Sequence, residues 1–422
     1  MSTGGTNRGH EVHAKMNVII LDEHQPEDGR LARHITYLLR HTGDVFRLHF
    51  SLFAPTLKPG RFSLYGEKGY RIKPPFSTMR LANVLCFNTM YLFPSLFSPR
   101  IQKALEALDV DPAAPTVLHV HDPGLLRVAM MMKRDHLRDA QIVYDRHEFF
   151  EVFYKKTRLP VPTIHRMYEI LARDSIDGVV HASLGGNSGL GSLFPRAAST
   201  QVPNYPLADI YDEACIQEKA RSFGSDSSMN LLYIGSLNPH DRDIGLLLKV
   251  ASEVLGQIPK TTCFIGGPSY GNDAELERMM LPLQEQYGER FRFHQGYVAR
   301  DTTQRLTERS HVGFLFVKPE TTYWITSSPN KLFESLRCGA IPVVRASVES
   351  SEEISGCSLL FDRYTPEEEI VTKTRELLSD PERCRGMMEH ALSISPNFTF
   401  EAVGPRYLTL YTQLLNDRPP VR

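Results

Sequence analysis

The sequence predicts an α/β protein built from two Rossmann-like, doubly wound domains that face each other across a cleft. Short runs of strand-forming residues alternate with stretches of helical spacing along the whole chain, as in βαβ units. The strand-like runs are continuously apolar, which is typical of a parallel sheet covered on both faces. The alternation stops in a polar interval at 206–228 and then restarts, so one sheet is predicted on each side. Ligands of such sheets bind at the carboxyl ends of the strands.

The order of elements supports this division. The polar residues 1–15 are predicted to form a disordered leader, 16–205 an N-terminal domain, and 206–228 a linker. Residues 229–395 are predicted to form a C-terminal Rossmann-like domain, and 396–422 a final helix that crosses back to the N-terminal domain. The predicted strands are 18–21, 116–121, 142–145, 178–181, 231–235, 262–267, 291–294, 312–316 and 341–344. The predicted helices are 31–39, 244–255, 274–287, 329–338 and 398–415.

Composition excludes several functional classes. Lysine plus arginine number 48 against 49 aspartates plus glutamates, so the chain lacks the basic excess typical of nucleic-acid binders. The six cysteines are scattered without paired spacing, which indicates reduced thiols in a cytoplasmic protein rather than disulfides or zinc ligands. No run reaches the roughly 20 apolar residues of a membrane-spanning helix. The uncharged stretch 81–97 is either a core helix with its loop or an apolar surface for peripheral contact with the inner membrane face. Nearby cations such as Lys68 and Arg71 are consistent with the second alternative, because cations favour an anionic leaflet.

The most informative stretch runs from Ser328 to Val344. Pro329 suits the first turn of a helix, where its missing N–H is not needed. The free N–H groups of Asn330 and Lys331 then form an anion site suited to a diphosphate. Glu334 lies one turn further along the same face, where a carboxylate can accept the hydroxyls of a ribose. The alternative is an ordinary capped helix with a surface glutamate.

This stretch resembles the donor-binding signature of the retaining family-4 glycosyltransferases, which belong to the GT-B superfamily (glycosyl transferases group 1). Their pattern is roughly P-N-K-x-x-E-x-x-x-x-G-x-P-V-V. The resemblance implies a GT-B fold and transfer of a sugar from a nucleotide diphosphate-sugar, most commonly a UDP-sugar, to an acceptor hydroxyl. It also implies retention at the anomeric carbon and no required metal or cofactor. The family's earlier glutamate falls on Thr326, so the contacts to the sugar stay open. The implied donor residues here are Ser328, Pro329, Asn330, Lys331 and Glu334.

A second stretch, Tyr233 to Arg242, is similar to the family's G-R-x5-K/R-G loop. The resemblance implies that Arg242, together with Lys331, neutralises the leaving diphosphate, and an arginine fork suits phosphate oxygens. The family's other cation falls on Ser236. The alternative for Arg242 is a solvated loop arginine. By this resemblance and that of a later turn, further donor-binding residues are Gly235, Ser236, Tyr297 and Val298.

The N-terminal half carries a third match. His119-Val120-His121-Asp122-Pro123 resembles the family's H-x-H-[DE]-P motif, whose second histidine contacts the donor sugar near the reacting carbon. His121 is therefore the implied catalytic histidine. Two histidines at this spacing could instead bind a metal, although no third ligand is evident from the sequence. A structural histidine held by hydrogen bonds is the remaining alternative.

The acceptor side is predicted from weaker signals. Tyr144-Asp145-Arg146-His147-Glu148 resembles the family's Y-D-x-H-E strand end, which places His147 and Glu148 toward the acceptor, unless they only fix loops. Gly29 stands where the family often has a glycine pair, and a glycine lets backbone approach a ligand. The sequence leaves the acceptor open among a glycan, a small molecule and a lipid-linked molecule.

Two other classes of function compete with sugar transfer. Thr326 and Ser236 replace two donor-site residues of the family, so the chain could be a degenerate nucleotide-sugar-binding or scaffold protein. A GT-B sugar-nucleotide epimerase or a phosphorylase would keep the fold and change the reaction. The carboxylates of the epimerases and the cofactor lysine of the phosphorylases are not evident in the sequence.

Overall fold

The computed structural model describes residues 16–23, 28–51, 58–73, 93–121, 123–146, 160–182, 193–224, 228–269, 273–321, 328–348 and 350–417. The chain divides into two compact units. Unit 1 comprises 1–180, 189–200 and 407–422, and unit 2 comprises 181–188 and 201–406. Unit 1 is therefore assembled from both ends of the chain.

Unit 1 is organised around an eight-stranded sheet of order β3-β4-β2-β1-β5-β6-β7-β8, in which β3 and β4 are antiparallel. Its strands are β1 (Asn17–Asp22), β2 (Asp44–Phe50), β3 (Gly60–Phe62), β4 (Lys68–Ile72), β5 (Thr116–Val120), β6 (Gln141–Arg146), β7 (Gly178–His181) and β8 (Ala198–Gln201). Its helices in the first 200 residues are α1 (Gly29–His41), α2 (Ser98–Ala107), α3 (Leu126–Asp135) and α4 (Pro160–Ala172).

The first strand of this sheet lies between β2 and β5, both of them parallel to it. The chain therefore leaves β1 on one side and returns on the other, which makes the β1/β5 boundary the topological switch point. Side chains alternate between the two faces of each strand. Leu21 and Val120 pack into the main core of unit 1, so Asp22, His119 and His121 lie on the opposite face, which α1 covers.

Unit 2 contains a six-stranded sheet of order β11-β10-β9-β12-β13-β14. Its strands are β9 (Met229–Ile234), β10 (Thr261–Gly267), β11 (Phe291–Gln295), β12 (Val312–Phe316), β13 (Ile341–Arg345) and β14 (Leu359–Phe361). Its helices are α5 (Glu213–Ser222), α6 (Ile244–Gln257), α7 (Asp273–Tyr287), α8 (Arg300–Arg309), α9 (Asn330–Arg337), α10 (Ser351–Ile354), α11 (Glu367–Leu378), α12 (Pro381–Ile394) and α13 (Phe400–Val403). The first strand, β9, lies between β10 and β12, so the switch point of this sheet is the β9/β12 boundary.

Several elements differ from the sequence prediction. The interval predicted as a linker contains α5, which belongs to unit 2 and buries Ile216 and Ala220. The single helix predicted at 398–415 is divided into a 3₁₀ turn, α13 and a last helix, α14 (Pro405–Asn416). Pro405 explains the division, because a proline lacks the N–H that would continue the preceding helix. From Tyr407 onward α14 is part of unit 1.

None of the helices in the described part of the chain is both long enough and apolar enough to cross a membrane.

Candidate functional site

The carboxyl edge of the unit 2 sheet is built from glycine turns at the ends of three neighbouring strands. The amide of Gly235 donates to Gly266 O (3.0 Å), and the amide of Gly296 donates to Gly267 O (2.9 Å). A Cβ on Gly267 would lie 1.7 Å from Gly235 O, and its φ of +149° is one that other residues rarely adopt. The turns after β9 and β10 therefore approach more closely than any side chain would allow.

The loop after β9 is attached to the end of β12 on both sides of Arg242. Asp243 N donates to Phe316 O (3.1 Å) and Lys318 N donates to Asp241 O (3.0 Å), while Arg242 itself pairs with Val317. The Arg242 guanidinium lies 3.7 Å from the Asp241 carboxylate. Burial raises the pKa of the Tyr233 hydroxyl to about 12, although the nearby Arg242 charge opposes this. Arg242 is thus held at the switch point of the unit 2 sheet.

The helix that the sequence proposes for the diphosphate, α9, begins directly after Pro329. Pro329 is the N-cap residue of α9 rather than its first helical residue as predicted, and no side chain among the described residues caps the helix. The first amides of α9 therefore have no side-chain acceptor at the cap, which is the condition for an anion site. Ser328 Oγ accepts a hydrogen bond from Asn204 N (3.1 Å), and the loop that precedes Ser328 lies outside the described residues.

Lys331 and Glu334 form an ion pair on the first turns of α9, with Lys331 Nζ 2.8 Å from Glu334 Oε2. Side-chain exposure is 39% for the lysine and 15% for the glutamate, so the pair is reachable from solvent. A pair this exposed contributes little to stability, at most roughly 1 kcal/mol. Both side chains can therefore exchange this contact for a ligand at small cost.

A close contact fixes α9 on the sheet. A Cβ on Gly313 of β12 would lie 2.3 Å from Ser335 Oγ, so only a glycine allows the helix to pack at this distance. Ser335 Oγ in turn donates to Lys331 O (2.8 Å). The N-terminus of α9 is thus positioned by its packing on β12, next to the loop that carries Arg242.

In unit 1, the turn after β1 leads into α1 through a capped start. The Asp28 carboxylate accepts hydrogen bonds from the amides of Arg30 and Leu31 (both 3.0 Å). Among the described residues, a Cβ on Gly29 would meet only a side-chain nitrogen of Arg33 at 3.6 Å, an ordinary distance. The predicted role of Gly29 in ligand approach stays a prediction.

Three buried histidines lie at the switch point of unit 1. His34 comes from α1, and His119 and His121 come from the end of β5. His34 Nδ1 lies 3.4 Å from His121 Nε2, and His34 Nε2 lies 3.0 Å from the Tyr411 hydroxyl. That hydroxyl also lies 2.8 Å from His119 Nδ1. The histidine cluster (His34, His119, His121) is therefore completed by a tyrosine from α14.

One carboxylate, Asp145 on β6, anchors this cluster. It forms a buried ion pair with Arg30 (2.6 Å) and accepts a hydrogen bond from the Tyr407 hydroxyl (3.2 Å). His119 Nε2 lies 3.4 Å and His121 Nδ1 lies 3.8 Å from Asp145 Oδ2. Burial lowers the pKa of His119, partly offset by Asp145, so this imidazole is neutral near pH 7. Burial also raises the pKa of the Tyr407 hydroxyl.

The histidine cluster adds a third candidate ligand to the alternative in which His119 and His121 bind a metal. Among the residues that the structure describes, one ring nitrogen from each histidine of the cluster lies within 4.8 Å of the others, close enough to hold a metal ion. The third candidate ligand, His34, is separated by 85 positions from His119 and was not recognised in the sequence. Its only sequence signal is a histidine on the buried face of a predicted helix.

A second buried polar network lies at the ends of β1 and β2. Arg47, fully buried in a strand, donates to Asp22 (2.8 Å), and His49 Nδ1 lies 3.0 Å from the same carboxylate. Burial alone would raise the pKa of Asp22, but Arg47 and His49 lower it to about 2. His49 Nε2 and Ser51 Oγ are buried without a hydrogen-bond partner among the described residues.

The predicted site residues fall into two groups within the units. In unit 2, Arg242, Lys331 and Glu334 follow the two strands that flank the switch point. Tyr297 is 63% exposed after β11, and Val298 is buried. In unit 1, His121 is placed with two residues not predicted for the site, His34 and Tyr411. His147, Glu148 and Thr326 lie outside the described residues, as does 81–92 of the predicted apolar segment.

Two largely parallel sheets with these strand orders are typical of the GT-B fold, and solved structures confirm that fold. Sucrose-phosphate synthase from Thermosynechococcus elongatus is similar over 96% of this chain and 100% of its own, with 15% identity and a TM-score of 0.67. A trehalose-6-phosphate synthase, solved in work on glycosyltransfer with retention, matches over 94% and 99%, with 12% identity and a TM-score of 0.64. HepE of Anabaena, in complex with UDP and glucose, matches over 95% and 100%, with 13% identity and a TM-score of 0.61. No protein-family model and no curated protein matches the chain.

Proposed function

We propose that this protein transfers a sugar from a nucleotide diphosphate-sugar, with UDP as the nucleotide, to an acceptor hydroxyl with retention of anomeric configuration. The observation that carries the proposal is the start of α9, where amides that no described side chain caps stand beside Lys331 and Glu334. Similarity of fold to a sucrose-phosphate synthase and to a protein in complex with UDP and glucose supports the same chemistry.

The proposed catalytic contribution of unit 2 is electrostatic. The α9 amides, Lys331 and Arg242 stabilise the negative charge that develops on the departing diphosphate, and preorganised charges of this kind often contribute most to catalysis. Glu334 accepts hydrogen bonds from the ribose hydroxyls once Lys331 exchanges its carboxylate partner for a phosphate. His121 contacts the donor sugar, and Gly29, His147 and Glu148 lie on the acceptor side. The cations replace a metal, so transfer is expected to continue in EDTA.

Ribose recognition provides the sharpest test. Glu334→Gln removes the charge and keeps the size, so UDP affinity should fall roughly ten- to hundredfold, as for loss of hydrogen bonds to a charged group. Wild-type protein should bind 2′,3′-dideoxy-UDP correspondingly more weakly than UDP, whereas the variant should hardly distinguish the two. Calorimetric titration measures both affinities.

Glu369→Gln is the matched control, because Glu369 forms a similar ion pair with Lys373 one turn away on α11 (2.6 Å). It should bind UDP like the wild type. Equal affinity of wild type and Glu334→Gln for UDP would contradict the proposed donor site. Binding of UDP without any consumption of UDP-sugars across a panel of sugar, polyol and lipid-linked acceptors would favour the alternative of a nucleotide-sugar-binding scaffold.

We also propose that unit 1 contacts the cytoplasmic face of a membrane and thereby reaches a lipid-linked acceptor. Phe93 and Leu96 are 60% and 46% exposed, and Arg100 and Lys103 are exposed on the following helix, α2. Exposed apolar side chains beside cations are typical of surfaces that bind anionic leaflets. The protein should sediment with phosphatidylglycerol vesicles and not with phosphatidylcholine vesicles. Leu96→Asp should abolish sedimentation, and no sedimentation of the wild type would contradict this proposal.

A further inference from the structure

A continuous series of hydrogen bonds joins Asp145 to His121 through Tyr411. We propose that Tyr411 and His34 are positioning residues, which hold the His121 imidazole in a single tautomer with its proton on Nε2. The functional part of this inference rests on the proposed contact between His121 and the donor sugar. The inference about the tautomer rests on the distances and the burial of these groups within unit 1.

The direction of the series is set at Asp145. As the ion-pair partner of Arg30, its carboxylate only accepts hydrogen bonds, so His119 Nε2, 3.4 Å away, carries a proton. His119 is neutral because burial lowers its pKa, which leaves Nδ1 without a proton. The Tyr411 hydroxyl, 2.8 Å from Nδ1, must therefore donate to it. The single hydroxyl proton of Tyr411 is therefore directed to His119 Nδ1.

The remaining links follow from the direction of this proton. With its proton directed to His119, the Tyr411 oxygen accepts from His34 Nε2 at 3.0 Å. His34 is fully buried, and burial disfavours a charged imidazole, so its Nδ1 carries no proton. That nitrogen then accepts from His121 Nε2 at 3.4 Å. Each group donates toward Asp145, and with neutral rings the reversal of any one link would place two protons or two lone pairs face to face. His121 Nδ1 lies 3.8 Å from Asp145 Oδ2, which is beyond hydrogen-bond distance, so that contact does not fix a proton on Nδ1. All three rings and the tyrosine are at most 2% exposed, so water does not compete for these bonds.

A metal ion at the histidine cluster is the competing arrangement. The ion would need a lone pair from each ring, yet the hydrogen bonds already engage both nitrogens of His34 and both of His119. A dication would also add charge to a buried region where the Asp145 carboxylate is already neutralised by Arg30. The geometry therefore favours the hydrogen-bonded series, and metal analysis belongs in its test.

Nitrogen-15 NMR of ring-labelled histidines tests the series directly, because protonated and bare ring nitrogens resonate far apart. The wild type should show His121 protonated on Nε2 and bare on Nδ1. Tyr411→Phe keeps the ring and removes the link, so the signals of His34 and His121 should become mixtures of tautomers. Tyr407→Phe is the matched control. It removes a hydroxyl of the same helix that also donates to Asp145, but it does not interrupt the series.

A second pair of variants covers the case in which Tyr411→Phe does not fold. His34→Asn places a side-chain oxygen near the position of Nδ1 and should keep the proton on His121 Nε2, whereas His34→Leu should not. Identical His121 signals in wild type, Tyr411→Phe and His34→Leu would overturn the proposal. So would one bound metal ion per chain whose removal by EDTA changes the histidine signals.

Kinetics separates this proposal from the proposed function. Tyr411→Phe should lower kcat for sugar transfer roughly tenfold, the effect of losing one buried hydrogen bond, with a smaller change in KM for the donor. His34→Asn should recover most of that loss. Altered tautomers with unchanged kcat would overturn the positioning role and leave sugar transfer standing. Absence of transfer in every form, with the expected tautomers, would instead remove the proposed function.

Discussion

Replacing Gly313 with alanine tests whether α9 is seated on the sheet as the structure shows. The new Cβ would lie 2.3 Å from Ser335 Oγ and 3.1 Å from Ser335 Cβ. Ordinary contacts between such atoms are about 3.5–4.0 Å, so the helix must move outward by roughly 1 Å or Ser335 must rotate away. Rotation would break the hydrogen bond from Ser335 Oγ to Lys331 O, and Lys331 belongs to the predicted diphosphate site.

Overpacking of this kind typically costs about 1–3 kcal/mol, and we expect Gly313→Ala to lower the free energy of unfolding of unit 2 by that amount. UDP affinity should fall as well, because the displaced amides no longer converge on the phosphates. Adding Ser335→Ala removes the nearest clashing atom and leaves the 3.1 Å approach of the two Cβ atoms. The double variant should therefore be more stable than Gly313→Ala alone, with a coupling energy of roughly 1–2 kcal/mol.

Urea unfolding and calorimetric titration with UDP measure the two effects. Gly386→Ala is the control, since a Cβ at this exposed position of α12 meets nothing within 4 Å. That substitution should stabilise the protein by about 0.4–1 kcal/mol, because alanine restricts the unfolded chain. A Gly313→Ala protein as stable as Gly386→Ala would refute the packing of α9 on β12. A double variant no better than the single one would refute the assignment of the clash to Ser335.

Three further predictions follow from the same geometry. Gly267→Ala should leave unit 2 unfolded or insoluble, because its Cβ would overlap Gly235 O; a folded protein by circular dichroism would contradict this. Asp22 has a pKa lowered to about 2, so its stabilising effect is complete above about pH 4 and is lost as pH falls toward 2, by about 2 kcal/mol. The free energy of unfolding, measured in urea, should therefore fall less steeply with decreasing pH in Asp22→Asn than in the wild type. Equal slopes would count against the ion pair with Arg47. Lys331→Met should weaken UDP binding roughly tenfold and leave uridine binding unchanged, which titration with both ligands distinguishes.

The sequence predicted the strands whose apolar residues form an unbroken run. β1, β5, β9, β10 and β12 read as continuous apolar runs, and each is found within one or two residues of its predicted bounds. β2 was missed because Arg47 and His49 interrupt its apolar pattern. Both are buried only because Asp22, 25 positions from Arg47, stands beside them in the sheet. A pairing across that distance is a property of the fold and leaves no local signal.

The same reason explains what was missed in the candidate site. Local spacing was enough to propose the start of α9, since helix starts depend on neighbouring residues, and the resemblance to a family motif identified the loop that carries Arg242. His34 and Tyr411 are 377 positions apart, and only the return of the chain to unit 1 brings them together. Helical spacing at the C-terminus predicted a helix, but not the histidines that it would contact.

The participation of the chain's last residues in unit 1 has a consequence for synthesis. A ribosome that has made the first 201 residues has produced every strand of the eight-stranded sheet but not the helix that supplies Tyr407 and Tyr411. Until about 200 more residues have emerged, at a rate of roughly 5–20 residues per second, Asp145 and the histidines lack two of their hydroxyl partners. The first unit to begin folding is thus the last to be completed. Nascent chains stalled before Tyr407 should be digested within unit 1 by proteases that spare the released protein.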